Sequence, residues 1–330
     1  MAIQNRWLAA FVLAAAGACH ETARTPAELP VGSPLSDAPT ASPVPPLPPE
    51  KKPAKLALAV VTGSPEGFLV NSTLVTGKHD ALLIDAQFTL PDATRVAAAI
   101  AASGKTLTTV YVTHFHPDHY FGFAALKEKF PNARLVALPQ TVALIEKTWE
   151  AKLKQWGPLY QNALTSKPVV PEALAGNTLE LEGQTLELVG GLQGDSADNS
   201  YVWIPSLRAV VTGDLVYDGV FPWTAETTPA ERKAWSATLD RLAALNAEIV
   251  IPGHQKPDLT QKPSSIAFTK EYLAAYEESL ASARSAADLE ARLKARYPDT
   301  ALDAILRIAA EAAFPVKSKK KRAPGPKSKP

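Results

Sequence analysis

The sequence predicts an α/β (α+β) fold in which two β-sheets pack against each other with helices on the outside. Three observations carry that expectation. The chain reads as two successive halves, each built of strands followed by helices, the alternation that layers helices onto sheets. Its apolar runs are short and closed by glycine, proline or charged turns, as strands are. Finally, 330 residues with 46% hydrophobic content can bury a large core, and one domain with tails is the expectation for that length.

The first three strands are read at 56–61, 68–75 and 81–84, apolar runs broken by Gly63, Gly67, Gly77 and Lys78-His79-Asp80. Residues 93–102 read as a helix that Gly104 stops. The run 107–112 holds β-branched and aromatic residues and reads as a buried strand ending near Thr113. A helix over 120–130 opened by Asp118, a strand over 134–138 and a helix over 140–154 follow. Residues 155–177, with Trp156, Tyr160 and three prolines, read as irregular. Residues 179–189 alternate as one or two strands around Gly183, and 201–204 with 209–211 form a hairpin bounded by Pro205 and Ser206. A helix over 230–245 and a strand over 249–251 complete the second half. Beyond Pro257, two or three amphipathic helices (266–283, 286–296, 301–313) either cap a pocket or cover one face.

The chemistry concentrates in six residues, His114-Phe115-His116-Pro117-Asp118-His119, directly after the strand 107–112. Ligands at a strand end and in the loop beyond it can converge on one point without distorting a regular element. His114 and His116 alternate and face one side, and the turn carries Asp118 and His119 past them. Imidazole nitrogen and carboxylate oxygen are the donors that borderline divalent metals such as zinc accept, at roughly 2.0–2.2 Å. A chance cluster of surface histidines is the competing explanation, but three of the chain's six histidines fall in this one stretch. His20 and His79 read as surface residues. No nucleophile elbow is found, and the single cysteine lies near the N-terminus.

His114 to His119 spell HxHxDH, and on this motif the sequence resembles the metallo-β-lactamase superfamily. Other segments match in order. Residues 194–205, GDSADNSYVWIP, are similar to the segment that carries the family's third histidine; Thr212-Gly213-Asp214 resembles the bridging-carboxylate segment, and Pro252-Gly253-His254 the last histidine. The resemblance covers about residues 56–260 and implies the four-layer αββα sandwich, with all ligands at one rim. It also implies two divalent ions, zinc first, with manganese or iron as alternatives. The first would take His114, His116 and position 195; the second Asp118, His119 and His254, with Asp214 bridging and Asp118 also catalytic. Asp85 would support the metal loop, a plain turn residue being the alternative. One position departs from the pattern: Asp195 stands where the family has histidine. With Asp195 as ligand, three aspartates and one hydroxide balance two divalent cations, and the preference tilts toward harder metals. The other possibility is that Asp195 is no ligand and the first metal is weak.

The implied activity is hydrolysis by a metal-bound hydroxide of an ester, lactone, thioester or amide, with β-lactams included but not favoured. The small-molecule substrate itself is not named by the sequence. Two alternatives remain: a catalytically weak metal-binding envelope protein, and a single-iron dioxygenase of the same fold.

The chain ends set the expected location. Residues 1–18 read as a signal peptide, with Arg6 before the apolar run 7–16. Ala16-Gly17-Ala18-Cys19 resembles a bacterial lipoprotein cleavage box, so Cys19 is expected to be lipidated and membrane-anchored, plain secretion being the alternative. Residues 19–55 form a tether with ten prolines between Pro26 and Pro53. The catalytic domain is expected over 56–260, a helical extension over 261–315 and a basic tail over 316–330. Residues 317–330 carry seven basic side chains and no acid, which leaves −6 on the remainder of a chain whose net charge is +1. That tail could contact anionic lipid or polymer; no specific nucleic-acid partner is expected.

Overall fold

The computed structural model describes residues 55–315. The expected signal peptide, Cys19, His20, the proline-rich tether and the basic tail lie outside the described residues. In chain order the elements are β1 (Ala57–Thr62), β2 (Asn71–Thr76), β3 (Asp80–Ile84), α1 (Leu90–Ser103), β4 (Thr106–Val112), α2 (Phe123–Lys129), β5 (Arg134–Ala137), α3 (Pro139–Tyr160) and β6 (Glu172–Ala173). The second half holds β7 (Thr178–Leu181), β8 (Gln184–Leu192), β9 (Asn199–Ile204), β10 (Ala209–Val211), β11 (Tyr217–Asp218), α4 (Pro229–Ala244), β12 (Ile249–Ile251) and β13 (His254–Gln255). Helices α5 (Ser264–Ser282), α6 (Ala286–Arg296) and α7 (Asp303–Ala313) follow.

Strands β1 to β6 form one sheet in sequential order, antiparallel across β1–β2–β3 and parallel from β3 onward. The second sheet runs β12-β10-β9-β8-β7. Strict alternation along the strands builds the layers, because successive side chains leave opposite faces. Ala81 and Leu83 of β3, with Val110 and Val112 of β4, face α1, α2 and α3. Their neighbours Leu82, Ile84 and Tyr111 face the other sheet and meet Leu186, Leu188, Val202, Ile204, Val211 and Ile251. On the far face of the second sheet, Val210 and Val250 pack on Trp235 and Leu239 of α4 and Leu273 of α5. The result is the four-layer αββα sandwich. Helices α6 and α7 close on α5 around Tyr272, Tyr276, Leu289, Leu293 and Leu306.

Three expectations are corrected. The helix after the histidine motif does not open at Asp118: Pro117–His119 form a 3-10 turn, and α2 starts at Phe123 behind Gly122. Asp118 and His119 point into the site, so their side chains are not available as caps. The second strand starts at Asn71, because Pro65–Gly67 turn and Phe68 and Leu69 adopt positive φ. The stretch beyond residue 154 is not irregular at its start; α3 continues through Gly157 and Pro158 to Tyr160. Trp156 and Tyr160 are thereby set on a helix face against Phe68 and Phe88.

The sheets are also joined by polar contacts. In the β7–β8 turn, the Glu182 carboxylate accepts from the backbone N–H groups of Lys78, His79 and Asp80 at 2.7, 2.5 and 2.7 Å. Inside the sandwich, Ser200 Oγ donates to Thr113 O at 2.5 Å and takes the Tyr111 hydroxyl at 2.7 Å. Since the single Ser200 proton goes to Thr113, Tyr111 is the donor. This contact fixes the end of β4, where the site begins. Among the described residues no helix is long and apolar enough to cross a membrane.

Candidate metal centre

All seven residues singled out from the sequence converge at one rim of the sandwich. His114, His116, Asp195 and Asp214 form one group with donor atoms within 4.8 Å of one another, and Asp118, His119 and His254 form a second. His114, His119 and Asp195 are fully buried, and Asp118 is the most open of the seven at 9%. His79 is exposed in its turn, away from the cluster.

Backbone ends deliver each residue. β4 ends into His114, the 3-10 turn supplies Asp118 and His119, β10 runs into Asp214, and β12 leads to His254. Asp195 sits in the turn between β8 and β9, where Asn199 Nδ2 donates to Asp195 Oδ1 at 3.1 Å and to Ser196 O at 2.9 Å. Ser196 Oγ donates to the same Asp195 oxygen at 3.1 Å. The loops carrying Asp214 and His254 touch at glycine. A Cβ on Gly253 would lie 2.2 Å from Asp214 Oδ1 and 2.6 Å from the Gly213 carbonyl, so only glycine allows this approach.

Hydrogen-bond partners outside the cluster set which nitrogen of each imidazole faces in. Thr113 Oγ1 gives its proton to Asp85, at 2.9 and 3.1 Å from the two oxygens, so it accepts from His114 Nδ1–H at 3.2 Å. His119 Nδ1 donates to Asp85 Oδ2 at 2.8 Å, and His254 Nδ1 donates to Phe68 O at 2.6 Å. In each ring Nε2 is left toward the centre. Asp85, expected either to support the metal loop or to be a turn residue, holds His119 directly and His114 through Thr113.

The inward atoms fit divalent metal. His114 Nε2, His119 Nε2 and Asp214 Oδ1 are buried without a hydrogen-bond partner, an expensive arrangement unless something else binds them. His119 Nε2 lies 3.1 Å from Asp214 Oδ1 yet makes no hydrogen bond with it. His114 Nε2 stands 3.7 Å from Asp214 Oδ2 and 4.0 Å from Asp195 Oδ1. Four imidazole nitrogens and three carboxylates are a donor set for zinc or a neighbouring divalent ion.

Without a cation the cluster holds protons instead. Burial opposes charge on His116, but the Asp195 and Glu226 carboxylates push it up to about 10. Burial likewise opposes charge on His119 and His254, and Asp214 beside them raises both. His114 is lowered, by burial and by His119. Burial disfavours ionised Asp214, yet His254, His119 and His114 hold it well below the usual carboxylate range, while burial raises Asp195. Protonated imidazoles thus compensate the buried carboxylates, and metal binding would displace those protons.

Residues unseen in the sequence complete the site. Tyr217, three residues after Asp214, donates its hydroxyl to Asp214 Oδ2 at 2.6 Å and lies 3.4 Å from Asp195 Oδ2. Its ring stacks on His254 at 5.1 Å and 3°. Above the cluster opens a narrow cleft of about 50 Å³, walled by Phe68, Trp156, Phe221, Trp223, Leu302 and Ile305. Trp156 comes from the stretch read as irregular, which at this point is helix α3. Leu302 and Ile305 show that the C-terminal helices both pack on the sandwich and wall the cleft. Lys152, one turn before Trp156 on α3, and Glu226 also line it.

Comparison with known proteins agrees with this architecture. The sequence pattern of the metallo-beta-lactamase superfamily matches residues 65–254. A hydroxyacylglutathione hydrolase from Rhodopseudomonas palustris (strain BisB18) is 32% identical over 138 residues, 42% of this chain; the chain spans about half of that relative, 48% of its length. A metallo-beta-lactamase type 2 from Bacteroides fragilis is 26% identical over 214 residues, covering 63% of this chain and 77% of that protein. Among solved structures, a metallo-beta-lactamase family protein from Thermus thermophilus superposes with a TM-score of 0.58 at 22% identity, covering 78% of this chain and 91% of that one.

Proposed function

The chain belongs to the metallo-β-lactamase superfamily, and from that premise we propose that it hydrolyses an ester, lactone or thioester bearing an apolar group, at the bacterial cell envelope. The observation that carries the reading is the pair of ligand groups with orphaned inward atoms at the floor of an apolar-walled cleft. Divalent ions, when bound there, supply Lewis acidity and bring the pKa of water down to about 7. His114, His116 and Asp195 would hold one ion, Asp118, His119 and His254 the other, and Asp214 would lie between them. The aromatic and aliphatic wall excludes water from one side of the substrate and receives its apolar part. Asp118 is the acid of the cluster most open to the cleft, so its carboxylate is placed to take the proton released by the attacking water and pass it to the leaving group. The thioester arm draws on the Rhodopseudomonas relative, and the Bacteroides relative makes β-lactams the control substrate.

The test is a screen of the zinc-loaded full-length chain against chromogenic esters, lactones, thioesters, phosphodiesters and β-lactams. Turnover of acyl substrates with apolar groups, lost on chelation and in Asp118→Ala with an unchanged circular dichroism spectrum, is the expected result. No acyl turnover by protein carrying two metals, or wild-type turnover in Asp118→Ala, overturns the reading. The envelope assignment rests on residues 1–19 alone. Cys19→Ser should move the protein from membranes to the soluble envelope fraction.

A further inference from the structure

Three of the four clustered histidines have the outer nitrogen held from within the fold, by Thr113, Asp85 and the Phe68 carbonyl. His116 is turned the other way. Its Nδ1 faces inward, 2.8 Å from Asp195 Oδ2, and its Nε2 points to the cleft mouth, 3.4 Å from Glu226 Oε2. We propose that Glu226 is the positioning residue of His116, the carboxylate that fixes its Nε2–H and so presents Nδ1 to the first metal. The proposal deepens the metal-centre reading and rests on it.

The surroundings of Glu226 suit that role. Its second oxygen, Oε1, accepts from Lys152 Nζ at 2.9 Å, which leaves Oε2 for the imidazole. Lys152 is only 15% exposed, and its ammonium lies 5.8 Å from the centre of the Phe115 ring, so the residue between the first two motif histidines places the cation that steadies Glu226. The loop bearing Glu226 is anchored as well. Buried Arg232 donates to the neighbouring Thr227 carbonyl and pairs with Glu277 of α5. Thr227 Oγ1 in turn donates to Thr224 O at 2.9 Å. A ligand histidine whose far nitrogen is bound to carboxylate is fixed in tautomer and ring orientation, and loss of such a partner costs 10–100-fold in metal affinity. Mere charge balance for Lys152 is the competing explanation, and it predicts no effect on metal.

The experiment titrates zinc into metal-free full-length protein in competition with a fluorescent chelator, for wild type, Glu226→Ala, Glu226→Gln and Lys152→Met. Circular dichroism checks the fold of each. Wild type should take two equivalents. Glu226→Ala should weaken one of the two steps by about 10–100-fold and leave the other within about threefold. Glu226→Gln should recover most of that loss, since its amide oxygen still accepts from Nε2–H, and Lys152→Met should stay near wild type. Superimposable isotherms for Glu226→Ala and wild type would overturn the proposal while leaving the metal centre standing. No recovery in Glu226→Gln, or binding tightened in Lys152→Met by as much as it is weakened in Glu226→Ala, would also overturn it by assigning the effect to charge at the mouth. If Glu226→Ala fails to fold, Glu226→Met, which keeps the length but cannot accept from Nε2–H, takes its place: a loss in Glu226→Met that Glu226→Gln recovers supports the proposal, and wild-type binding in Glu226→Met overturns it. Wild type that binds fewer than two equivalents would defeat the metal-centre reading itself.

Discussion

Replacing Tyr217 by phenylalanine removes one oxygen from the middle of the site and leaves the ring. The hydroxyl donates to Asp214 Oδ2 at 2.6 Å, and Asp214 is held ionised by the histidines around it, although burial opposes this. Burial, with Asp195 and Asp214 nearby, pushes the phenol well above its ordinary value, so it remains a donor throughout the neutral range. A hydrogen bond to a charged acceptor is worth about 1.5–3 kcal/mol. Two features of the structure place the loss at the lower end. Asp214 Oδ2 keeps His254 Nε2 at 3.1 Å, and phenylalanine keeps the burial and the stack on His254. A loss of about 1.5 kcal/mol lowers the midpoint of a domain of this size by roughly 3–6 °C. The assay is thermal unfolding of the metal-free full-length chain, followed by circular dichroism. A midpoint within about 1 °C of wild type would refute the reasoning, because it would mean that the hydroxyl does not serve an ionised Asp214.

Three further outcomes are expected. Asp195→Asn should weaken one metal site by at least the ~10-fold that follows loss of an outer partner, and Asp195→His should restore it with a shift from manganese toward zinc. Metal content after dialysis against a weak chelator, with both metals in competition, reads this, and two metals held at wild-type affinity in the asparagine variant would make Asp195 a bystander. Glu182, held by three backbone N–H groups, is lowered from 4.5 to about 2. Its stabilising contribution is therefore complete above the ordinary glutamate range and fades as pH falls toward about 2; the midpoint difference between wild type and Glu182→Gln should shrink from pH 7 to pH 3, and a constant difference would exclude this linkage. Gly253→Ala should cost about 1–3 kcal/mol through overpacking and also reduce metal content, since the methyl displaces Asp214; unchanged unfolding and unchanged metal would show that the two loops yield freely.

The site was legible where its signal is local. His114 to His119 lie within six positions, and the segments around Asp214 and His254 each follow a short apolar strand, so ligand type and strand end coincide in the text of the sequence. The layers were legible for the same reason: the period of two that sends Leu82 inward and Leu83 outward is written residue by residue. Contacts between distant segments leave no such trace. Glu226 meets His116 across 110 positions and Lys152 across 74. Tyr217 had a signal, its three-residue spacing from Asp214, but one tyrosine beside an apolar run reads equally well as core. The misplaced start of α2 has a different cause. An aspartate before a helical pattern ordinarily caps it, and here the centre claims Asp118 first.

The division of labour between the floor and the wall of the cleft has an evolutionary consequence. The seven clustered residues fall between 114 and 254, inside the stretch shared with the superfamily, whereas Leu302 and Ile305 come from beyond it. Substitutions in the last helices can therefore reshape what the cleft accepts while the inherited reactivity stays untouched. A lineage built this way can alter the wall of the cleft through residues beyond 254, with each change sparing the ligand cluster on its floor.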